Sequence, residues 1–446
     1  MNPALDPGWL REAAAALEEA NRALGGLYPG ENSGRQPVHT VYGGAQLFAS
    51  DSTPKLGRVA LAALQRYAPD PATLGRALGI EKHPALERIY QRVRAKLERE
   101  PVEDFRIDFE DGYGTRPDSE EDRHAAAIAG AVAQGGREGS LPPFIGIRVK
   151  PLNQENRARS VRTLDLVHQG VVAAGEIPPG WVVTIPKITI LEQVRFAVAV
   201  LGALERRLGL GSGTLRYEAM VETPQIILDR AGRSLLPRLL EVSEGRLRGA
   251  HFGTYDFTAG LNITAAHQRM RHPVCDFAKH VMQVAFAGTP VWLSDGSTTV
   301  LPVPVHREDE SGPLTVAKQA ANLDGVHAAW RLHFEDVRHS LAGGFYQGWD
   351  LHPAQLVSRY AALYSFFLEG IEAAGARLRN FVGKAAQATL VGDVFDDAAT
   401  GQGLLNFFLR GINSGAITES EALELTGLGP EDFRGRSFVK IMRARA

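Results

Sequence analysis

Residues 217–224, Tyr-Glu-Ala-Met-Val-Glu-Thr-Pro, and residues 250–258, Ala-His-Phe-Gly-Thr-Tyr-Asp-Phe-Thr, decide how this chain reads. In the first, a stretch of strand character ends at Glu222, where Thr223 is a good N-cap and Pro224 suits the first helical position. Ile226, Ile227, Leu235, Leu236, Leu239 and Leu240 predict one mostly apolar helix after it. In the second, a short apolar strand turns through Gly253 and delivers Asp256. Both carboxylates then lie in turns that follow strands, on the face of an α/β barrel where chemistry is done. Two carboxylates on one rim suit a hard divalent cation that keeps positions open for a substrate. A capping Asp and a surface Glu would look the same in isolation, so the surrounding pattern matters.

Upstream of this pair the chain runs in βα units. Residues 105–109, Phe-Arg-Ile-Asp-Phe, read as a strand leading into Glu110, Asp111 and Gly112. Ser119 with Asp122 predicts a capping box that opens the next helix. A strand over 144–149 carries Arg148 near its end, and one over 182–187 ends at Lys187. Helices are expected over 157–174 and 191–208. Further strands are expected at 39–42, 291–293 and 349–351, with a weak signal at 388–391. Eight strands separated by helical patterns argue for α/β architecture, a (β/α)8 TIM barrel, over a doubly wound sheet, since no nucleotide fingerprint marks a switch point. We expect an N-terminal helical segment over 1–37, with its helix at 8–25. The barrel is expected over 38–365 with a helical insertion near 56–103, and a C-terminal helical cap over 366–446, opened late by a Thr418–Glu421 capping box.

Composition narrows the function. The chain has 446 residues, 44% of them hydrophobic and 22% charged, with 49 basic and 51 acidic residues and a net charge of −2. Such a balance gives no electrostatic footprint for nucleic acid or anionic lipid. One cysteine, Cys275, excludes an intrachain disulfide and a cysteine-based metal site. With no leader-like N-terminus and no long apolar run, a cytoplasmic protein without membrane or nucleic-acid partners is expected. His327, His333 and His339 are six apart and read as surface residues.

The ordered set Asp-Phe-Glu-Asp (108–111), Arg-Val-Lys (148–150), Ile-Pro-Lys-Ile (185–188), Val-Glu-Thr-Pro (221–224), Gly-Thr-Tyr-Asp-Phe (253–257) and Leu-His-Pro-Ala-Gln (351–355) resembles the HpcH/HpaI aldolase and citrate lyase β-subunit family. That family belongs to the pyruvate/phosphoenolpyruvate barrel superfamily. The resemblance implies that Glu222 and Asp256 hold Mg2+, with Mn2+ as the alternative. It implies that Arg148 grips keto-acid or enolate oxygens, and that Glu110 and Asp111 lie behind the metal and order its waters and the arginine. Lys187 is expected to orient rather than to form an imine, and Gly253 and Thr254 to meet the substrate. A C-terminal aspartate that reaches a neighbouring subunit's site in the family's CoA lyases has its counterpart in Asp396. His39, a metal-bound hydroxide and Asp396 are the candidate bases, in that order.

The expected activity is that of a Mg2+-dependent carbon–carbon lyase or aldolase, acting through an enolate on a small 2-keto or hydroxy acid, in a homo-oligomer. A CoA thioester substrate remains open, as in malyl- or citramalyl-CoA lyases or a malate-synthase-like condensation. The first strand, His39-Thr40-Val41-Tyr42, lacks the family's Arg-Ser start and proline, which favours a free acid. Phosphoryl transfer has no P-loop or phosphohistidine domain to support it. A non-catalytic barrel scaffold is the reading from another class.

Overall fold

The computed structural model describes residues 5–32, 34–307, 313–383, 389–391, 394–396 and 398–445. Eight parallel strands close into a barrel in chain order: β1 (His39–Gly44), β2 (Asp104–Asp108), β3 (Phe144–Arg148), β4 (Trp181–Ile185), β5 (Tyr217–Val221), β6 (Leu247–Phe252), β7 (Trp292–Ser297) and β8 (Gln347–Asp350). The closing pair is β1 with β8, where His39 sits opposite Gly348 and Val41 opposite Asp350. The chain is thus a (β/α)8 barrel with additional helices. Two short antiparallel strands, β9 (Thr389–Val391) and β10 (Val394–Asp396), stand apart from it.

Side chains alternate across each strand. Val41, Phe105, Ile107, Ile145, Ile147, Val183, Ile185, Ala219 and Val221 are buried together with apolar side chains of the outer helices. Their neighbours face inward, as contacts between non-adjacent strands require: Arg106 of β2 reaches Glu218 of β5, and Tyr42 of β1 reaches His251 of β6. The interior is therefore polar, where barrels of this kind usually stack Val, Ile and Leu.

Between β1 and β2 lie helices Ser52–Tyr67, Pro71–Leu78 and Leu86–Arg99. They make up the helical insertion expected near 56–103. Helices Arg157–Ala174 and Leu191–Leu208 lie where expected, and Thr418 with Glu421 makes the expected capping box. Three local expectations need correction. The helix after Glu222 is broken into Pro224–Ile227 and Leu236–Val242. Asp229 folds the link on itself by accepting the backbone N–H of Ala231 and Arg233, around Gly232 at φ 73°. The helix expected to open at Ser119 starts at Asp118 behind Pro117, with no side-chain cap. His333 is buried rather than superficial, bonding Ser358 at 2.8 Å and lying 3.1 Å from Asp350.

Two long segments frame the barrel differently. Helix Pro7–Leu27 has no buried residue. Helix Gln355–Leu368 is buried along almost its whole length against the barrel. Among the described residues no helix is long and apolar enough to cross a membrane.

Candidate active site

The C-terminal ends of β2 and β3 are in register, Asp108 opposite Arg148, and this pairing sets the floor of the mouth. Arg148 donates Nε–H to Asp108 Oδ1 at 2.7 Å and Nη2–H to Oδ2 at 2.5 Å, a bidentate fork that fixes the guanidinium plane. Its Nη1 lies 3.0 Å from Glu110 and 3.6 Å from Asp111. The guanidinium also stands over the ring of Tyr42 at 4.7 Å and near that of Trp349 at 5.9 Å. Asp108 is itself tied down by the backbone N–H of Glu110 and Gly112, so the turn after β2 and the arginine share one anchor.

Glu222 follows β5 directly and is 2% exposed. Its Oε1 accepts the backbone N–H of Lys187 at 2.7 Å. The carboxylate lies against Gly253, so close that a Cβ there would stand 2.4 Å from its Oε2. Burial, and then the charge of Asp256, push the Glu222 carboxyl up to about 8. Burial likewise raises the Glu110 carboxyl above its ordinary range. Asp256 lies in the helix Thr254–Gly260 and is partly open to solvent.

Lys187 sits at φ 51°, the left-handed region that a non-glycine residue rarely enters. Its ammonium pairs with Glu110, lies 3.5 Å from Asp111 and 3.3 Å from Asp256 Oδ2. The carboxylates around it hold its proton more firmly than usual. Glu110, Asp111, Lys187, Arg148, Glu222 and Asp256 thus converge on one mouth, and Gly253 and Thr254 border it. Thr254 Oγ1 is buried without a hydrogen-bond partner among the described residues, as is Trp349 Nε1.

One expected residue, His39, is not brought to this mouth. His39 is completely buried near the start of β1. Its Nδ1 meets Asp350 at 2.8 Å and its Nε2 accepts the Glu103 backbone N–H at 3.0 Å. With both ring nitrogens committed and Tyr360 of an outer helix packed on it, His39 holds the strand in place and has no free site for a substrate proton. The expectation of a base there is corrected. Asp396 ends β10, paired with Thr389, and its side chain lies outside the described residues.

Three contributors escaped the sequence reading. Asp108, within the quoted Asp-Phe-Glu-Asp run, is the main partner of Arg148. The alternation Asp104, Arg106, Asp108 was the available signal, because period two places all three inside the barrel. Tyr42 and Trp349 figured in the sequence only as members of the first and eighth strands. Both lie beside the guanidinium, their rings 4.5 Å apart.

A family profile described as "Domain of unknown function (DUF6986)" matches residues 17–441. The chain belongs to this family. No protein with a curated description matches it in sequence. Among solved structures, a citrate lyase from Burkholderia xenovorans LB400 is 19% identical, with a TM-score of 0.55 over 89% of this chain and 98% of that one. A malate synthase from Haloferax volcanii, in a magnesium/glyoxylate complex, is 14% identical, with a TM-score of 0.47 over 92% and 97%. Its pyruvate/acetyl-CoA ternary complex gives 15% and 0.45 over 93% and 99%. The likeness to the Burkholderia protein is one of fold.

Proposed function

We propose that the barrel mouth is the active site of a Mg2+-dependent carbon–carbon lyase or aldolase, which acts through an enolate on a small 2-keto or hydroxy acid. One observation carries this reading. Five carboxylates (Asp108, Glu110, Asp111, Glu222 and Asp256) gather at the mouth around two cations, Arg148 and Lys187. A deficit of positive charge in a partly closed site favours the entry of a further cation.

The residues fit that cation. Glu222 has one oxygen engaged by a backbone N–H and the other facing the Gly253 turn beside Asp256. Among the described residues no set of three His, Cys, Asp or Glu side chains is close enough to enclose a metal. An ion on Glu222 and Asp256 would therefore keep water or substrate in its remaining positions, as Mg2+ commonly does. When bound, it would supply charge stabilisation for a developing enolate oxygen.

The chain's own residues do the rest. Arg148, held planar by Asp108, presents Nη1 to the mouth and is the group that orients a carboxylate or enolate oxygen. Glu110 keeps that guanidinium and Lys187 in place. Thr254, expected to meet the substrate, keeps its hydroxyl buried against Gly296 without a hydrogen-bond partner among the described residues. A CoA thioester is the second source of an enolate on this fold, and no feature of the mouth favours it over a free acid.

Isothermal titration of the metal-stripped protein with Mg2+, with and without oxalate, tests the reading, because oxalate mimics the enolate of pyruvate. Oxalate should bind only with metal, and Glu222→Ala should abolish this while leaving the circular dichroism unchanged. Oxalate binding that ignores metal, or survives in Glu222→Ala, would refute it.

A further inference from the structure

An enolate mechanism needs a group that takes a proton from substrate and returns it, and His39 is spent elsewhere. Beneath Arg148 the barrel holds a hydroxyl, an imidazole and a carboxylate in series. The Tyr42 hydroxyl lies 3.5 Å from His251 Nδ1, and His251 Nε2 lies 3.3 Å from Glu218 Oε2. The same Glu218 oxygen is held by Arg106, at 2.7 Å from Nη2 and 3.2 Å from Nε, and by the Thr184 hydroxyl at 3.3 Å. His251 and Glu218 are 1% and 2% exposed, whereas Tyr42 is half-buried. Tyr42 thus stands at the boundary between the open mouth and a sealed ionic layer.

The direction of the relay follows from the partners. Glu218 can only accept, so His251 carries its proton on Nε2 and turns the Nδ1 lone pair toward the phenol. In the layer itself, Asp104 and Glu218 both pair with the single guanidinium of Arg106. A proton arriving on His251 would stand against Glu218, whose carboxylate Arg106 keeps ionised.

We propose that Tyr42 is the proton-transfer residue of this site, with His251 and Glu218 as positioning residues behind it; the proposal rests on the enolate reading above. In the enolisation of pyruvate, a C3–H bond breaks and its electron pair becomes the C2–C3 π bond as the carbonyl oxygen takes the negative charge. The proton passes to the Tyr42 oxygen as the phenolic proton passes to His251 Nδ1, giving an imidazolium beside Glu218. In cleavage, the same relay takes the substrate's hydroxyl proton while the C–C bonding pair forms the enolate, then returns that proton to carbon. A resting separation of 3.5 Å is the kind of long contact that tightens once substrate is bound.

The test uses the full chain loaded with Mg2+. It follows exchange of the pyruvate methyl protons with deuterium by NMR, and oxalate affinity by calorimetry. Tyr42→Phe keeps the ring under Arg148, and is expected to slow exchange about 100-fold while changing oxalate affinity less than about threefold. His251→Gln is expected to slow exchange and flatten its pH profile at unchanged oxalate affinity. Exchange in Tyr42→Phe within about threefold of the parent protein overturns the relay, as does loss of oxalate binding in that variant, which would make Tyr42 a structural support. A parent protein that binds oxalate with metal yet exchanges no protons also overturns the relay, and leaves the enolate site standing. A parent protein that does neither overturns both.

Discussion

Gly253 offers a sharp test of the site's geometry. Its backbone, at φ −103° and ψ 92°, is one that alanine adopts freely, so Gly253→Ala adds no conformational strain. What it adds is a methyl group 2.4 Å from Glu222 Oε2 and 2.5 Å from Glu222 Cβ, where ordinary contact begins near 3.4 Å. Glu222 or the turn must therefore move by about 1 Å, and a displacement of that size commonly costs about 100-fold in a catalytic site, or roughly 2.7 kcal/mol. Overpacking of this kind also costs about 1–3 kcal/mol of stability. Titration with Mg2+ and oxalate, beside denaturant unfolding, separates the two effects. Combining Gly253→Ala with Glu222→Ala sharpens the reading, because the Cβ contact survives and the carboxylate does not. The stability loss should persist in the double variant, with no further loss of metal binding. Metal and oxalate binding unchanged in Gly253→Ala would refute the placement of Glu222 at the cation.

The proton on Glu222 sets a pH dependence. Its carboxyl is pushed up to about 8, so the fold favours the neutral form: metal-free protein should lose stability as pH climbs from the ordinary carboxyl range toward 8. Mg2+ affinity, which needs the carboxylate, should rise over the same interval and level off above it; calorimetry that finds a flat affinity would sink this. His39→Ala should cost about 1–3 kcal/mol, by leaving the Glu103 N–H without its acceptor, yet leave oxalate binding intact. Lys187→Met removes the ammonium that stands 3.3 Å from Asp256, and should tighten Mg2+ by roughly threefold, since Asp256 is partly exposed. Weaker metal binding in that variant, or trapping of the parent protein by borohydride with pyruvate, would assign the lysine another role.

The barrel was legible because its strands alternate with helices whose apolar faces recur at helical spacing, and the mouth was legible because charged residues end successive strands. What could not be read follows from the same physics. Periodicity places β7 at residues 291–293, but the strand runs on through Ser294, Asp295, Gly296 and Ser297. These polar residues are tolerated because Asp295 meets Lys279 at 2.9 Å and the Ser340 hydroxyl at 2.6 Å on outer helices. Such partners lie far away in sequence and leave no local trace. His39 deceived for a related reason: a polar residue opening a first strand resembles a catalytic base until Asp350 and Glu103 are seen to consume both its nitrogens. The broken helix after Glu222 was written locally, in an Asp229–Gly232 turn, but the apolar spacing on either side outweighed it.

The barrel interior explains why the two ionic layers have different fates. Asp104, Arg106, Glu218 and His251 are sealed, and Arg106 draws Glu218 well below the usual carboxylate range against the cost of burial. Removing either partner would strand a buried charge, at a cost of about 3–5 kcal/mol. The upper layer has the same ingredients with one side open. Arg148 is as deeply placed as Arg106, but Asp111 and Asp256 reach solvent and Lys187 is partly exposed. There the excess of carboxylate persists because water, and then an incoming cation, can answer it. Tyr42 and Trp349 form the partition between the layers: above it the carboxylates reach solvent and can exchange a cation, and below it the link upward is the Tyr42 hydroxyl on His251.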